Sequence, residues 1–244
     1  MKVYDEMSEY YDLIYGDQTD LEFYLREAKN ARGSVLEVAC GTGRILLKLL
    51  EVGIDAYGLD FSQKMLDVLK QKAKAKNLDA KILQANMLDF SFDKKFKLII
   101  LPYRSFLHLE THDERKKALL NFKKHLEEGG RLILHIYNPS KEDLEMTNEF
   151  HCFEAEDLVS ADGLKYHVDW HLHYEPSKRL AHYKVVLKLQ HNEFIYNMDI
   201  YLTPIKEIGE LLKECGYKNI RSYCGFDYYP FNGNCKEVLW IAEN

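Results

Sequence analysis

Val35-Leu-Glu-Val-Ala-Cys-Gly-Thr-Gly-Arg-Ile45 is the stretch from which the rest of the chain is read. Val35, Leu36, Val38 and Ala39 make a short apolar run of the kind that fits a strand buried in a parallel sheet. Gly41 and Gly43 follow with only Thr42 between them, and Ile45, Leu46, Leu47, Leu49 and Leu50 then take up helical spacing. The segment reads strand, glycine turn, helix. Such a turn lets the backbone pass close to a ligand and aims free helix N–H groups at it. About twenty residues on, a second strand, Ala56-Tyr-Gly-Leu-Asp60, ends in a carboxylate, at the offset of an acid that binds ribose. Together these features predict a nucleoside-cofactor site.

The pattern departs from a dinucleotide fingerprint, because Leu46 stands where the third glycine of G-x-G-x-x-G belongs. That glycine serves close helix–strand packing around a pyrophosphate. With Glu37 inside the first strand and Asp60 ending the second, Glu37-Val-Ala-Cys-Gly-Thr-Gly43 resembles the E-x-A-C-G-T-G motif of class I S-adenosylmethionine-dependent methyltransferases. The resemblance implies S-adenosyl-L-methionine as cofactor, its methionine portion over the loop. It also implies an α/β fold, a Rossmann-like seven-stranded mostly parallel sheet with helices on both faces. Asp60-Phe-Ser-Gln-Lys-Met65 resembles the family's D-x-S-x-x-M-L segment, in which the residue after the acid lies against adenine, and Ser62 reads as a helix N-cap. Asn86, after a third strand over 80–84, stands where the family commonly places an aspartate that bonds the adenine amino group. An amide carbonyl accepts that bond too, with less strength. Glu127-Glu-Gly-Gly-Arg-Leu132 matches the family's E-x-G-G-x-L. Carried over residue by residue, the implied cofactor set is Glu37, Ala39, Gly41, Gly43, Asp60, Phe61, Met65, Asn86, Met87 and Leu101. Two other classes share these residues. One is an NAD(P)-dependent oxidoreductase, against which the missing glycine speaks. The other is a non-catalytic S-adenosylmethionine-binding protein, since the binding motif is clearer than any catalytic group.

Chemistry in open parallel sheets gathers at the carboxyl ends of strands. The fourth strand, Phe96-Lys-Leu-Ile-Ile-Leu101, runs into Pro102-Tyr-Arg-Ser-Phe-Leu-His108, which places Tyr103, Arg104, Phe106 and His108 at the acceptor side. Nucleic-acid amino-methyltransferases carry Asp/Asn-Pro-Pro-Tyr/Phe there, whereas this chain has Leu101-Pro102-Tyr103. With a formal net charge of −6, that departure predicts a small-molecule acceptor, methylated at N or O, and no nucleic acid. Tyr11-Asp-Leu-Ile-Tyr15 resembles the Y-D-x-x-Y of sugar-amine and glycine-type methyltransferases, which implies an N-terminal cap touching the acceptor. The alternative is a helix docked on the core by its tyrosines. The candidate catalytic residues are His108, as a base, with Tyr15 and Tyr103. Transfer from a sulfonium needs alignment and exclusion of water rather than a protein nucleophile.

From about Phe150 to Thr203 the pattern changes. Tyr166, Val168, Trp170, Leu172 and Tyr174 alternate with polar residues, and Pro176-Ser177 supplies a turn, which predicts an antiparallel hairpin. The expected register pairs Trp170 with Tyr183, Val168 with Val185 and His171 with His182; Phe194 to Leu202 add a further strand. No cysteine or acidic cluster completes a metal set around the histidines, so no metal is expected. Residues 1–149 and 204–244 are read as the cofactor-binding core with its N-terminal helical cap, and 150–203 as an inserted sheet serving as acceptor wall or as the interface of a homodimer. A helix from Ile205 to Cys215 and strands over 218–223 and 236–241 close the core.

The 244 residues, 46% hydrophobic and 30% charged, suffice for one such domain with an insertion. Met1–Tyr11 has no signal-peptide pattern, and no stretch approaches a membrane span. Five irregularly spaced cysteines read as reduced thiols of a cytoplasmic protein.

Overall fold

The computed structural model describes residues 2–16, 19–147, 149–160 and 163–244. Helices α1 (Lys2–Met7), α2 (Tyr11–Ile14) and α3 (Leu21–Ala31) precede strand β1 (Val35–Val38) and helix α4 (Leu46–Glu51), which flank the glycine turn. Strand β2 (Ala56–Asp60), helix α5 (Gln63–Ala75), and strands β3 (Lys81–Gln84) and β4 (Phe96–Leu101) follow. A 3₁₀ turn, Ser105–His108, leads to α6 (His112–His125), β5 (Leu126–Tyr137) and the short α7 (Lys141–Leu144). Strands β6 (His151–Val159), β7 (Lys165–Glu175), β8 (Leu180–Leu189) and β9 (Asn192–Tyr201) are the insertion. Helix α8 (Ile205–Glu214) and strands β10 (Lys218–Cys224), β11 (Tyr229–Pro230) and β12 (Glu237–Glu243) end the chain.

The main sheet runs β11-β10-β12-β5-β4-β1-β2-β3. Pairs from β5 through β3 are parallel, and β12, β10 and β11 are antiparallel. The eighth strand is the two-residue β11 on Tyr223 and Cys224, too short to show in a hydrophobic period. Strand order reverses between β1 and β4, where open α/β sheets take their ligands.

Alternation along β1 sends Leu36 and Val38 to the layer of Leu101, Leu119 and Phe122 of α6, and Leu212 of α8. Val35 goes to the opposite layer with Tyr24 of α3, Leu46 of α4 and Leu69 of α5. Thr111 starts α6 with a reciprocal cap, its hydroxyl accepting from Glu114 N–H while the Glu114 carboxylate accepts from Thr111 N–H. That satisfies two donors a helix end leaves open.

The second sheet, β6-β7-β8-β9, is antiparallel throughout. Its hairpin differs from expectation by two residues: Trp170 faces Val185, Val168 faces Leu187 and His173 faces His182. The cause is a longer turn, a 3₁₀ segment Pro176–Lys178 closed by left-handed Arg179 at φ +53°. A shift of two keeps every side chain on its face. Strand β6 was not expected, because its residues are mostly exposed on both faces and carry no alternation.

Two further expectations are corrected. The sequence pattern reads a helix from about His112 to Glu127 stopped by Gly129-Gly130, but α6 ends at His125, because Leu126 is buried and extended against Phe96. And the cysteines are not all thiols: Cys224 and Cys235 form a disulfide with Cα atoms 5.6 Å apart, while Cys40, Cys152 and Cys215 are free. The return of β12 beside β10, with Cys224 opposite Val238, brings the pair together, and sequence spacing does not encode that return. Among the described residues no helix is long and apolar enough to cross a membrane.

Candidate active site

A cavity of about 430 Å³ opens at the carboxyl ends of the parallel strands. One end is lined by Ala39, Gly41, Leu59, Asp60, Phe61, Met65, Ala85, Asn86 and Met87. Ala39 and Gly41 sit in the left-handed region at φ +59° and +53°. Cys40 N–H between them donates to Leu59 O at 3.0 Å, which stitches the turn to β2. A Cβ on Gly41 would meet only Tyr11 Cε1, at 4.0 Å, so its open side faces the cavity. Asp60 closes this end. Its Oδ2 accepts from Gly41 N–H and its Oδ1 from Ser62 N–H, each at 2.8 Å. Burial raises its pKa, while the amides of Ser62, Gly41 and Phe61 pull the other way. With three amides on four lone-pair sites, the carboxylate keeps acceptor capacity for a sugar hydroxyl.

Three of the cofactor candidates fall outside the lining, as does Phe106, which is buried in the layer of Leu101. Glu37 shares the strand face of Val35, so its carboxyl turns under α4 and accepts from Leu46 N–H. Burial pushes its pKa up to about 8, against the field of Arg44. Gly43, at φ +86°, is a packing position, since a Cβ there would stand 2.8 Å from Leu69 Cγ and 3.0 Å from Leu47 Cγ. Leu101 is spent in the α6 layer. Asn86 lines the cavity, with its Oδ1 already accepting from Leu88 N–H at 2.9 Å.

The other end is aromatic. Tyr4, Tyr11 and Tyr15 come from the N-terminal helices, Tyr103, Arg104 and His108 from the loop after β4, and Phe153, Trp170, Tyr183 and Met198 from the inserted sheet. The Tyr15 ring stands edge-on to Tyr103 and Trp170, at 5.3 and 5.1 Å, and its hydroxyl points at Met198 Sδ, 3.4 Å away. The Tyr4 hydroxyl lies 2.6 Å from His108 Nε2, and the His108 ring also bonds the Asp199 backbone. Burial pushes the His108 pKa down to about 4. The imidazole is therefore neutral at physiological pH, with Nε2 accepting from the tyrosine.

Tyr103 and Arg104 are both left-handed, at φ +54° and +66°. Two consecutive non-glycine residues there cost on the order of 1–3 kcal/mol each. They are held by contacts on either side: the Arg44 guanidinium lies 5.4 Å from the Tyr103 ring centre, and Arg104 is ion-paired with Glu237 and stacked on Tyr137 at 4.4 Å.

The cap is tethered across the cofactor end. Asp12 accepts from Thr42 Oγ1 at 2.6 Å and pairs with Lys72 at 2.7 Å, and Asp5 accepts from the Ser62 hydroxyl. Ser62 also caps α5 through Met65 N–H. Sequence reasoning left Tyr4, Trp170, Tyr183 and Met198 out of the site, although the strand residues lay on the apolar face it identified. His167 and His182 are taken up by Asp157, Asp169 and Asp199, and among the described residues no cluster could hold a metal ion.

Residues 35–130 match the family described as a methyltransferase domain. An N,N-dimethyltransferase of dTDP-3-amino-3,4,6-trideoxy-α-D-glucopyranose from Streptomyces venezuelae is 30% identical over 132 residues, 51% of this chain and 54% of that protein. The chain thus spans about half the length of the curated relatives it matches. An S-adenosylmethionine-dependent methyltransferase from Clostridium acetobutylicum shares the fold with a TM-score of 0.80 at 19% identity, over 98% of both chains. The S-adenosylmethionine-bound amino pentose methyltransferase CalS10 from Micromonospora echinaspora superposes with a TM-score of 0.72 at 18% identity, over 96% of this chain and 95% of that one. The nicotinamide and non-catalytic readings find no support in these likenesses. Residues 35–130 match a methyltransferase-domain family, and the chain that carries them shares the fold of solved S-adenosylmethionine-dependent methyltransferases.

Proposed function

We propose that this chain transfers a methyl group from S-adenosyl-L-methionine to the nitrogen of a small-molecule amine. The observation that carries this reading is the division of one cavity between an Asp60 end fit for a nucleoside and an aromatic end built around the Tyr4–His108 hydrogen bond. The donor's fit rests on the remaining acceptor capacity of Asp60, the open face of Gly41, and the apolar lining of Leu59, Met65 and Met87. When bound, the cofactor supplies a methyl on a sulfonium, and the acceptor's lone pair forms the C–N bond as the C–S pair returns to sulfur.

The chain's own residues supply position and dryness. Tyr11, Tyr15, Tyr103 and Trp170 give stiff walls that exclude water and hold the amine in line, which contributes up to ~7–11 kcal/mol when alignment is good. His108 is neutral and its Nε2 accepts from the Tyr4 hydroxyl, so the Tyr4 oxygen is left to accept an amine N–H and orient it, while the methylated ammonium gives up its proton to solvent. Nitrogen is favoured over oxygen because an imidazole held near pKa 4 is too weak a base to ionise a hydroxyl. An amine needs only to arrive unprotonated. The inserted sheet acts as acceptor wall.

Calorimetry with S-adenosylhomocysteine, followed by methyl transfer to a panel of amines and alcohols read by mass spectrometry, tests this. Saturable binding and methylated amines are expected. Methylated alcohols with untouched amines would reverse the choice of atom, and no binding would remove the reading.

A further inference from the structure

Arg104 is the single lysine or arginine among the described lining residues, against the carboxylates of Asp60, Glu114 and Glu154. None of the six undescribed residues is a lysine or arginine. Arg104 is also already committed. Its Nε and Nη2 donate to Glu237, its plane rests on Tyr137 at 4.4 Å, and it bonds Tyr183. Glu237 in turn accepts from His135 Nε2 at 2.6 Å. Burial disfavours its charge, but His135 and Arg104 outweigh that and hold the carboxyl down at about 2. The guanidinium charge is thus cancelled where it meets the cavity.

A buried phosphate or diphosphate needs cations or a cluster of N–H donors facing it, because desolvating it unpaired is prohibitive. The acceptor end offers neither: it presents aromatic faces, one neutral imidazole and a mouth carrying Glu114 and Glu154. Aromatic faces attract alkylammonium groups, and carboxylates at the mouth raise the local concentration of cations.

Building on the proposed N-methylation, we infer that the acceptor is an amine carrying no phosphate or other permanent anion, and that Glu237 sets this specificity by neutralising Arg104. The side chain of Glu237 reaches the cavity only through Arg104, so it is a specificity-determining residue rather than a catalytic one.

Two experiments test the inference. In the first, the unaltered full chain is given S-adenosylmethionine tritiated in its methyl group and a protein-free cell extract, and the products pass over an anion exchanger at neutral pH. Label in the unretained fraction above that of a no-protein control, which reports the cationic donor, is expected. Label retained as an anion would overturn the inference while leaving methyl transfer intact; no transferred label in either fraction would overturn both it and the proposed function. In the second, protein saturated with S-adenosylhomocysteine is titrated with inorganic pyrophosphate. The unaltered chain should show no saturable binding, and Glu237→Gln, which frees the guanidinium, should bind at least tenfold more tightly. Tight binding to the unaltered chain, or no gain in a Glu237→Gln chain that still binds S-adenosylhomocysteine, would overturn it. The labelling experiment decides the acceptor class whether or not that variant folds.

Discussion

At the cofactor end of the cavity, the lining is backbone and near-neighbour in sequence: the turn after β1, the acid ending β2, and the residues after β3. At the acceptor end it is side chains drawn from the first fifteen residues, the loop after β4 and all four strands of a separate sheet. The first end is fixed by geometry that a few residues impose on the chain. The second exists only once distant elements have packed, as in the Tyr15 ring meeting both Tyr103 and Trp170.

The sharpest way to break that division is at Asp60. Asp60→Ala removes an acceptor of two charge-assisted bonds worth ~1.5–3 kcal/mol each, so S-adenosylhomocysteine affinity should fall about a hundredfold or more. Calorimetry reads it, and an unchanged affinity would remove Asp60 from the cofactor's sugar. Next in size is His108→Ala, which should lower kcat on the order of 10²-fold and leave cofactor affinity alone, a split that puts the residue at the acceptor end. Because His108 titrates at about 4, the rate should show no inflection from this group between pH 5 and 8.

Much of the first end was readable from sequence, because Gly41, Asp60, Phe61, Met65, Asn86 and Met87 all lie within a short span whose strands have a clear period. Glu37, Gly43 and Leu101 matched the same motif yet fell outside the cavity lining, since alternation on β1 and β4 and the approach of α5 turn them inward. The acceptor end was half readable. Tyr11 and Tyr15 announced themselves by the Y-D-x-x-Y pattern and Tyr103 and His108 by loop position, but Tyr4 joins through contacts with His108 and Met198, 104 and 194 residues away. The hairpin's faces were right and its register was not, because register depends on a turn whose length alternation does not reveal.

A smaller test sharpens the distinction between motif and lining. Glu37→Gln should leave cofactor affinity unchanged and raise stability. The folded pKa, about 8, lies above the ordinary 4.5, so the folded chain keeps a proton that the unfolded chain sheds. Stability is therefore lost as pH rises from 4.5 to 8, and the amide removes that loss, worth ~2–3 kcal/mol near neutrality. Thermal melts should show a gain of several degrees at pH 8 and almost none at pH 4.5. His108 acts with the opposite sign. Its folded value lies below the ordinary 6.5, so the stability it contributes is lost as pH falls from 6.5 toward 4.

The tether of the N-terminal cap joins the two ends mechanically. Asp5 and Asp12 fasten the helices that carry Tyr4, Tyr11 and Tyr15 to Ser62, Thr42 and Lys72, so on the proposed function the wall around the amine hangs from the turns that would carry the nucleoside. Two aspartates outside the cavity lining thereby hold one of its walls.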